Sequence, residues 1–385
     1  MNKHLKRLTA FLLALVMVLS TGIVSSLSAL SESEEPLHVY TEEEYKAIDD
    51  DVFALIGSVK EDALQTKIYT YGESAYLTED DYIDLVPEVI SAVESSKTYV
   101  EGTLQQNGYF LVWETTTGIP CCYSPRMEAK LGHQTKPSEE ELQAIDADLA
   151  EWVQQLGSAS SVEANVSGHC PTSTNIGLIQ PYWESNSNYA DSNFVSYSPS
   201  YKAMWQNLYG VTGGQGIRYS MSNATIDNIA RTMEQCGLVI FDSHGDTDYV
   251  GSNEDYTSEA NSSYLCLTTS TGITSTDTKK KTGPFGTYYD AVYYYDGGVG
   301  VNGQCIANHM SSNAPGSLLY MGICLGMATD KMFEGLRAKG LEVAYGYSQS
   351  VSFYGERIYM QSILGYVKNG DTFGSADSKT KVGYG

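Results

Sequence analysis

The sequence predicts an α/β protein whose main sheet is largely parallel and covered by helices on both faces. From about Thr172 onward, short apolar segments alternate with helical patterns. These apolar segments lack a polar face, which is typical of strands buried on both sides. A regular alternation of strand and helix favours crossover connections and therefore parallel pairing.

Five segments carry the strand pattern of this sheet. In chain order they are NIGLIQPYW, GIRYSMS, LVIFDSHG, SLLYMGICLG and LEVAYGYS. Helical patterns follow four of them, in PSYKAMWQNLYG, NATIDNIARTMEQCG, ATDKMFEGLRAKG and YGERIYMQSILGYVKNG. The second of these helices should begin at Asn223 or Thr225 and end at Gly237, since Asn and Thr are favoured N-caps and Gly a favoured C-terminal residue.

Residues 31–165 differ from the rest of the chain and predict an α+β N-terminal domain or propeptide. They are acidic, with helical patterns in TEEEYKAIDDDVFALIGSV, DDYIDLVPEVISAVESS and SEEELQAIDADLAEWVQQL. Between the last two, Asn107-Gly108 predicts a turn between paired strands. A small, polar linker, GSASSVEANVSG, separates this region from the main domain, residues 172–385.

Residues 250–315 interrupt the strand–helix alternation and predict an insertion. The segment is rich in Tyr, Gly, Ser and Thr, with strand-like YLCLTTSTG and YYDAVYYYDGG on either side of Lys279-Lys280-Lys281. It is too long for a plain loop. We expect β-hairpins above the carboxyl ends of the main strands.

Residues 1–30 have the organisation of a secretory signal peptide. Lys3, Lys6 and Arg7 precede an apolar run from Leu8 to Leu19, and small residues then lead into SESEE. The run is shorter than the 20 or so residues that a membrane-spanning helix needs. We therefore expect a secreted, extracellular protein without a membrane anchor after cleavage.

The charge of the chain excludes most nucleic-acid partners. Without its first 30 residues the chain keeps 20 basic and 47 acidic side chains, a net charge of −27. Such a surface repels nucleic acid and anionic membranes. The seven cysteines include no CxxC pair that would indicate zinc, so no metal centre is predicted from them.

Two strand ends carry residues suited to nucleophilic catalysis. Ser243-His244-Gly245 follows one apolar strand, and Cys324 lies at the end of the next core strand of this pattern. Active sites of open α/β sheets form at the carboxyl ends of strands. An imidazole beside a thiol can take the thiol proton and later protonate a leaving amine. Gly245 would let a substrate backbone approach closely.

These segments resemble the caspase-like cysteine peptidases, which include caspases, metacaspases, legumain, clostripain, gingipains and separase. The resemblance covers about half of the chain and is carried by LVIFDSHGD, LLYMGICLGM and VAYGYSQSVSFYGERIYMQSILGYV. It implies a caspase-like fold and an endopeptidase that acts on protein or peptide substrates. By this resemblance His244 is the base, Cys324 is the nucleophile, and the amides of Gly245 and Cys324 form the oxyanion hole.

The resemblance also implies a substrate-binding segment near Ser348, Gln349 and Ser350. Near the predicted site the chain has Asp246, Asp248 and further acids but almost no arginine. A substrate with Arg or Lys before the cleaved bond is therefore favoured over one with Asp, with Asp246 and Asp248 as its binding residues. No cofactor is expected, although the acidic segment DTDYVGSNED could bind calcium.

The sequence leaves other functions open. Gly346-Tyr347-Ser348-Gln349-Ser350 has part of a nucleophile-elbow pattern, and Asp242, His244, Asp246 and Asp248 could form a metal-dependent hydrolase. His169 and His309 are rival bases. A catalytically inactive, caspase-like scaffold that binds surface partners is the alternative to an enzyme, supported by the Tyr-rich insertion.

Overall fold

The computed structural model describes residues 37–132, 171–182, 216–251, 259–295, 298–351, 359, 362–363, 365–366 and 371–384. The predicted signal peptide, the helical patterns SEEELQAIDADLAEWVQQL and PSYKAMWQNLYG, and the linker GSASSVEANVSG lie outside these residues. Within the described part of the chain, no helix is long and apolar enough to cross a membrane.

The helices fall in an N-terminal group and a group around the main sheet. In chain order they are α1 (Glu42–Ile48), α2 (Ala54–Tyr71), α3 (Glu79–Asp84), α4 (Val86–Ser95), α5 (Pro125–Gly132), α6 (Ile226–Gln235), α7 (Gly303–His309), α8 (Lys331–Ala338) and α9 (Phe373–Tyr384). A π-helical turn, Asp49–Phe53, joins α1 to α2. Thr41 caps α1 in a capping box with Glu44, which satisfies backbone amides that the first turn leaves unpaired.

The strands belong to two main sheets and one hairpin. In chain order they are β1 (Gln105–Asn107), β2 (Phe110–Glu114), β3 (Pro120–Tyr123), β4 (Ile176–Gln180), β5 (Gly216–Ser220), β6 (Leu238–Asp242), β7 (Gly245–Thr247), β8 (Ser263–Leu267), β9 (Lys281–Gly283), β10 (Gly286–Tyr288), β11 (Ala291–Tyr294), β12 (Val299–Val301), β13 (Leu318–Gly322) and β14 (Val343–Gly346).

The first sheet has five strands in the order β14-β13-β6-β4-β5, and every pair in it is parallel. Its two faces pack in separate apolar clusters. One face presents Val239, Phe241 and Leu319 to the largest core, while Ile240 and Tyr320 belong to a second cluster on the other face. Burial of such side chains stabilises the fold by about 1.5–3 kcal/mol each. The predicted mixed α/β class with a mostly parallel sheet is confirmed.

Helix α6 shows how the local sequence forms this layer. Of the two predicted N-caps, Thr225 is confirmed, and it accepts a hydrogen bond from the Asn228 amide. The predicted C-cap Gly237 is wrong, because the helix ends at Gln235 with Cys236 as its C-cap. Ile226, Ile229 and Met233, spaced three and four residues apart, form a fully buried face. This spacing is what an amphipathic helix requires to cover a sheet.

The second sheet has seven strands in the order β1-β2-β3-β11-β12-β8-β7. The predicted hairpin at Asn107-Gly108 is confirmed, with Gly108 at φ +62° in its turn. Strand β3, from the N-terminal region, pairs in parallel with β11 of the insertion, Cys121 opposite Tyr293 and Cys122 opposite Tyr294. The N-terminal segment and the insertion therefore form one sheet, and their apolar side chains join the largest core.

Candidate active site

The chain passes from the parallel sheet into the mixed sheet at Ser243 and His244. Strand β6 ends at Asp242 and β7 begins at Gly245, so these two residues form the junction. Two hydrogen bonds to Cys266 of β8 hold this junction. The Cys266 amide donates to the His244 carbonyl at 3.0 Å, and Ser243 Oγ donates to the Cys266 carbonyl at 2.7 Å. His244 thus sits on a fixed backbone at the carboxyl end of the sheet.

His244 and Cys324 follow two strands that are neighbours in the parallel sheet. Strands β6 and β13 are parallel neighbours with Asp242 opposite Gly322. His244 lies two residues after Asp242, and Cys324 lies two residues after Gly322, so the two residues hold matching positions in the segments that follow these strands. Neighbouring strands are about 4.8 Å apart, so the segments that carry the two predicted catalytic residues leave the sheet at the same edge.

Gly245 packs directly against the backbone of Cys324. A Cβ atom on Gly245 would lie 2.2 Å from the Cys324 carbonyl oxygen and 3.0 Å from Ile323 Cβ. No side chain fits in that space, which explains glycine at this position by close approach. The predicted oxyanion donors, the amides of Gly245 and Cys324, therefore belong to two segments in contact, and their catalytic role stays a prediction.

The backbone turns sharply just after Cys324. Leu325 has φ 60°, and it is the one non-glycine residue with a positive φ in the described part of the chain. Non-glycine residues in this conformation cluster at functional sites, because the surrounding structure must hold a strained turn. Cys324 therefore lies in a tight turn that begins two residues after the end of β13 at Gly322.

The predicted substrate-binding segment runs beside this turn. The Leu325 amide donates to the Gln349 carbonyl at 3.1 Å, and the Met327 amide donates to the Tyr347 carbonyl at 2.9 Å. Ser348, Gln349 and Ser350 are exposed. The segment is thus fixed next to Cys324 with three side chains facing solvent.

The sulfur of Cys324 is covered in this conformation. Cys324 is 8% exposed, and its Sγ accepts a hydrogen bond from the Val351 amide at 3.3 Å and donates to the Val351 carbonyl at 3.4 Å. The thiol of Cys324 therefore already contacts the backbone of the neighbouring segment at Val351.

His244 has an environment that favours the neutral imidazole. Burial, together with the nearby Lys130 ammonium, lowers the pKa of His244 to about 4. The ring packs edge-on against Tyr182, with centroids 4.8 Å apart. Tyr182 follows β4, whose carboxyl end lies next to that of β6. A neutral imidazole can accept a proton, as a general base must.

Helix α5 of the N-terminal segment reaches this site. Lys130 Nζ donates to the Gly245 carbonyl at 3.4 Å. Arg126 and Asp246 form a buried ion pair at 2.9 Å, with side chains 2% and 0% exposed. Tyr294 also donates to Asp246, at 3.3 Å. Strand β7, which follows His244, is therefore anchored by a charge from a distant part of the sequence.

Asp246 and Asp248, predicted as substrate-binding residues, are both buried. The Asp246 carboxylate is engaged by Arg126, and Asp248 Oδ1 accepts hydrogen bonds from the amides of Asn261 and Ser262 at 2.7 and 2.9 Å. Burial raises the pKa of Asp248 to about 6. Other groups would have to form a pocket for Arg or Lys, and that preference stays a prediction. The calcium prediction depends in part on residues 252–258, which lie outside the described residues.

The ring of the rival base His309 contacts two carboxylates, one at each nitrogen. Its Nδ1 lies 2.8 Å from Asp227 Oδ1 and its Nε2 lies 2.9 Å from Asp277 Oδ2. His169 lies outside the described residues. Among the described side chains, the one group able to hold a metal ion is Asp277, Cys305 and His309, which differs from the Asp242, His244, Asp246 and Asp248 set weighed from the sequence.

Sequence reasoning missed three residues around His244. Tyr182 follows an apolar strand in QPYW, so a systematic list of strand ends would have included it. Arg126 and Lys130 lie more than 110 residues before His244, in a short helix with no motif. Only the three-dimensional fold places them at the site.

The sequence matches no protein-family model and no curated protein. Its function must therefore be inferred from the geometry and chemistry of its own residues.

Proposed function

We propose that this chain is a secreted cysteine endopeptidase of the caspase-like type, in which His244 and Cys324 form a catalytic dyad. The observation that carries the proposal is the strand register, which puts both residues two positions beyond Asp242 and Gly322 on neighbouring parallel strands. The close contact of Gly245 with Cys324, and the exposed segment from Ser348 to Ser350 beside it, support the same site.

In the proposed reaction, Cys324 Sγ attacks the carbonyl carbon of a peptide bond while His244 takes the thiol proton. The amides of Gly245 and Cys324 donate to the developing oxyanion. His244 then gives its proton to the leaving amine, and a thioester with Cys324 remains. Water hydrolyses this thioester with His244 again as base. Neutral His244 is ready for the first step at pH 7, and the forming thiolate favours the imidazolium that results.

A panel of fluorogenic peptides that varies the residue before the cleaved bond tests this function. Wild-type protein should hydrolyse at least one member, and Cys324→Ala should lose all turnover. His244→Gln should lose about 10²–10⁴-fold, the usual contribution of a general base. Cys236→Ala is the matched control, since Cys236 is a buried thiol at the end of α6, and it should keep wild-type activity.

The alternative is an inactive scaffold that binds surface partners. It is favoured by the low exposure of Cys324 and by the contact of its sulfur with Val351. Folded wild-type protein that hydrolyses no peptide in the panel would support the scaffold and contradict the peptidase. Turnover that persists in Cys324→Ala would assign any activity to another group.

A further inference from the structure

A second cysteine–histidine pair lies on helix α7. Cys305 and His309 are four residues apart, so they share one face of the helix. Asp277, from the segment between β8 and β9, faces the same point. The ligand atoms of the three side chains all lie within 4.8 Å of one another. Sequence reasoning missed this group because its aspartate is distant, although the CxxxH spacing on a helix was visible.

The three side chains are largely buried, and hydrogen bonds hold the carboxylate of Asp277 in place. Asp277 and Cys305 are fully buried, and the His309 side chain is 10% exposed. Asp277 Oδ2 accepts hydrogen bonds from the Thr274 amide at 3.0 Å and the Thr274 hydroxyl at 2.7 Å. Asn308 donates to Asp277 Oδ1 at 3.1 Å. These contacts hold the carboxylate in one orientation toward the helix.

Asp227 completes the arrangement from helix α6. Its carboxylate lies 2.8 Å from His309 Nδ1, which leaves Nε2 directed at Asp277. Histidines that bind metals usually donate their other ring N–H to a carboxylate, which fixes the ring and increases its basicity. The Asp227 side chain is 62% exposed, so this side of the group also offers a path from solvent.

We propose that Asp277, Cys305 and His309 bind a divalent transition-metal ion, with zinc as the best fit, and that Asp227 orients His309. One thiolate, one imidazole and one carboxylate form a donor set typical of zinc. Zinc bonds of about 2.0–2.3 Å require donor separations of about 3.3–3.8 Å. His309 Nε2 and Asp277 Oδ2, now 2.9 Å apart, would therefore have to separate by about 0.5 Å, and a donor pair at the 4.8 Å limit would have to close by about 1 Å or a little more. The fourth position would be left for water.

Zinc binding requires ligands that have lost their protons. The Cys305 thiol releases its proton to solvent on forming the metal–sulfur bond, and Nε2 of His309 binds as a neutral donor. Burial and neighbouring carboxylates raise the pKa of Cys305 in the metal-free protein, so metal must compete with a proton there. The bound ion would join α7 to the segment before β9, and α6 would contact the site through the Asp227 hydrogen bond to His309. This site is independent of the proposed peptidase.

The rival interpretation is a metal-free contact in which protonated His309 bridges Asp227 and Asp277. The pKa of His309 is raised by hydrogen bonds to these carboxylates, against the effect of burial. Both interpretations use the same residues, so only metal binding separates them.

The test uses full-length protein carrying Cys324→Ala, which removes the other cysteine–histidine pair. After chelator treatment and addition of zinc alone, elemental analysis should give one zinc per chain. Cobalt should produce a thiolate-to-cobalt charge-transfer band. Cys305→Ser should lose the band and at least 100-fold in zinc affinity, and Asp227→Asn about 10–100-fold. Cys236→Ser, another buried thiol, should change neither.

Absence of stoichiometric zinc from the folded protein would overturn the proposal. Zinc affinity and a cobalt band that both persist in Cys305→Ser would overturn it as well. Because Cys305 is buried, its variant could unfold. Asp227→Asn changes an exposed side chain, and unchanged zinc affinity in that variant would contradict the assigned orientation of His309.

Discussion

Two cysteine–histidine pairs in one chain have opposite surroundings. His244 and Cys324 follow neighbouring strands, and burial together with the Lys130 ammonium lowers the pKa of His244. His309 and Cys305 share one helix, and carboxylates contact both ring nitrogens of His309 and raise its pKa. The first environment favours a neutral proton acceptor. The second favours a cation, either a proton on the ring or a metal beside it.

The comparison shows that residue type alone does not assign a role. Both pairs could be described from the sequence as a thiol near an imidazole. What distinguishes them is the sign of the charge that the fold supplies, and in both cases it comes from another part of the chain: α5 for the first pair, and α6 with the segment before β9 for the second.

The largest expected effect comes from filling the space between Gly245 and Cys324. In Gly245→Ala the new Cβ would meet the Cys324 carbonyl at 2.2 Å, so the two strand ends must separate. We expect a loss of peptidase activity of at least 100-fold and a destabilisation of about 1–3 kcal/mol, measured by peptide hydrolysis and urea unfolding.

The control for this variant is Gly374→Ala. Gly374 lies in helix α9, and among the described residues no atom lies within 4 Å of the position that an added Cβ would take. Alanine should stabilise that helix by about 0.5–1 kcal/mol and leave activity unchanged. Wild-type activity in Gly245→Ala would contradict a close contact between the segment of Gly245 and that of Cys324.

The next effect concerns Arg126, the cation that anchors strand β7 after His244. Arg126→Met should destabilise the protein by about 3–5 kcal/mol, because it leaves Asp246 buried without its ion pair. Urea unfolding measures this loss, and Arg126→Met combined with Asp246→Leu should recover part of it.

Lys46→Met provides the comparison for an exposed pair. Lys46 and Asp50 are ion-paired four residues apart on α1 and its following turn, with side chains 69% and 63% exposed. Loss of such a pair should cost about 0.5 kcal/mol or less. Equal effects of Arg126→Met and Lys46→Met would show that the N-terminal segment does not anchor the site.

The smallest expected effect is a shift in the pKa of His244. Lys130→Met removes a positive charge that disfavours protonation of His244, so the pKa of His244 should rise from about 4 toward its ordinary value of 6.5. Because burial is the larger cause and remains, the pKa of His244 should stay closer to 4 than to 6.5. NMR titration of His244, assigned with His244→Gln, measures it.

The same change should move the acid limb of the pH–activity profile to higher pH, since His244 must be neutral to act as base. The control is Lys279→Met, which changes an exposed lysine in the insertion. It should leave the pKa of His244 unchanged. A pKa of His244 that is lower in Lys130→Met than in the wild type would contradict the effect assigned to the Lys130 charge.

Local patterns predicted the parallel sheet well. Apolar runs such as Leu238–Asp242 and Leu318–Gly322 show their strands directly, because complete burial demands nearly complete apolarity. The matching positions of His244 and Cys324 follow once these two strands are neighbours. Sequence reasoning therefore predicted two residues that follow neighbouring strands, and their catalytic roles stay a prediction.

Long-range pairing could not be predicted in the same way. Strand β3 contains Cys121 and Cys122, whose short segment has no pattern that selects β11, about 170 residues away. Helix α5 follows β3 directly, so the positions of Arg126 and Lys130 depend on that pairing. The sequence could suggest a separable N-terminal domain, whereas the fold places three of its strands in a shared sheet.

The central claim is that His244 and Cys324 act together, and covalent labelling tests it most directly. Wild-type protein and His244→Gln are incubated with peptidyl acyloxymethyl ketones that vary in the residue next to the reactive group, and the adducts are mapped by mass spectrometry. The proposal predicts an adduct on Cys324 of the wild type with at least one reagent, formed at least 10-fold more slowly in His244→Gln. Equal rates in the two proteins, or adducts on other cysteines only, would contradict it.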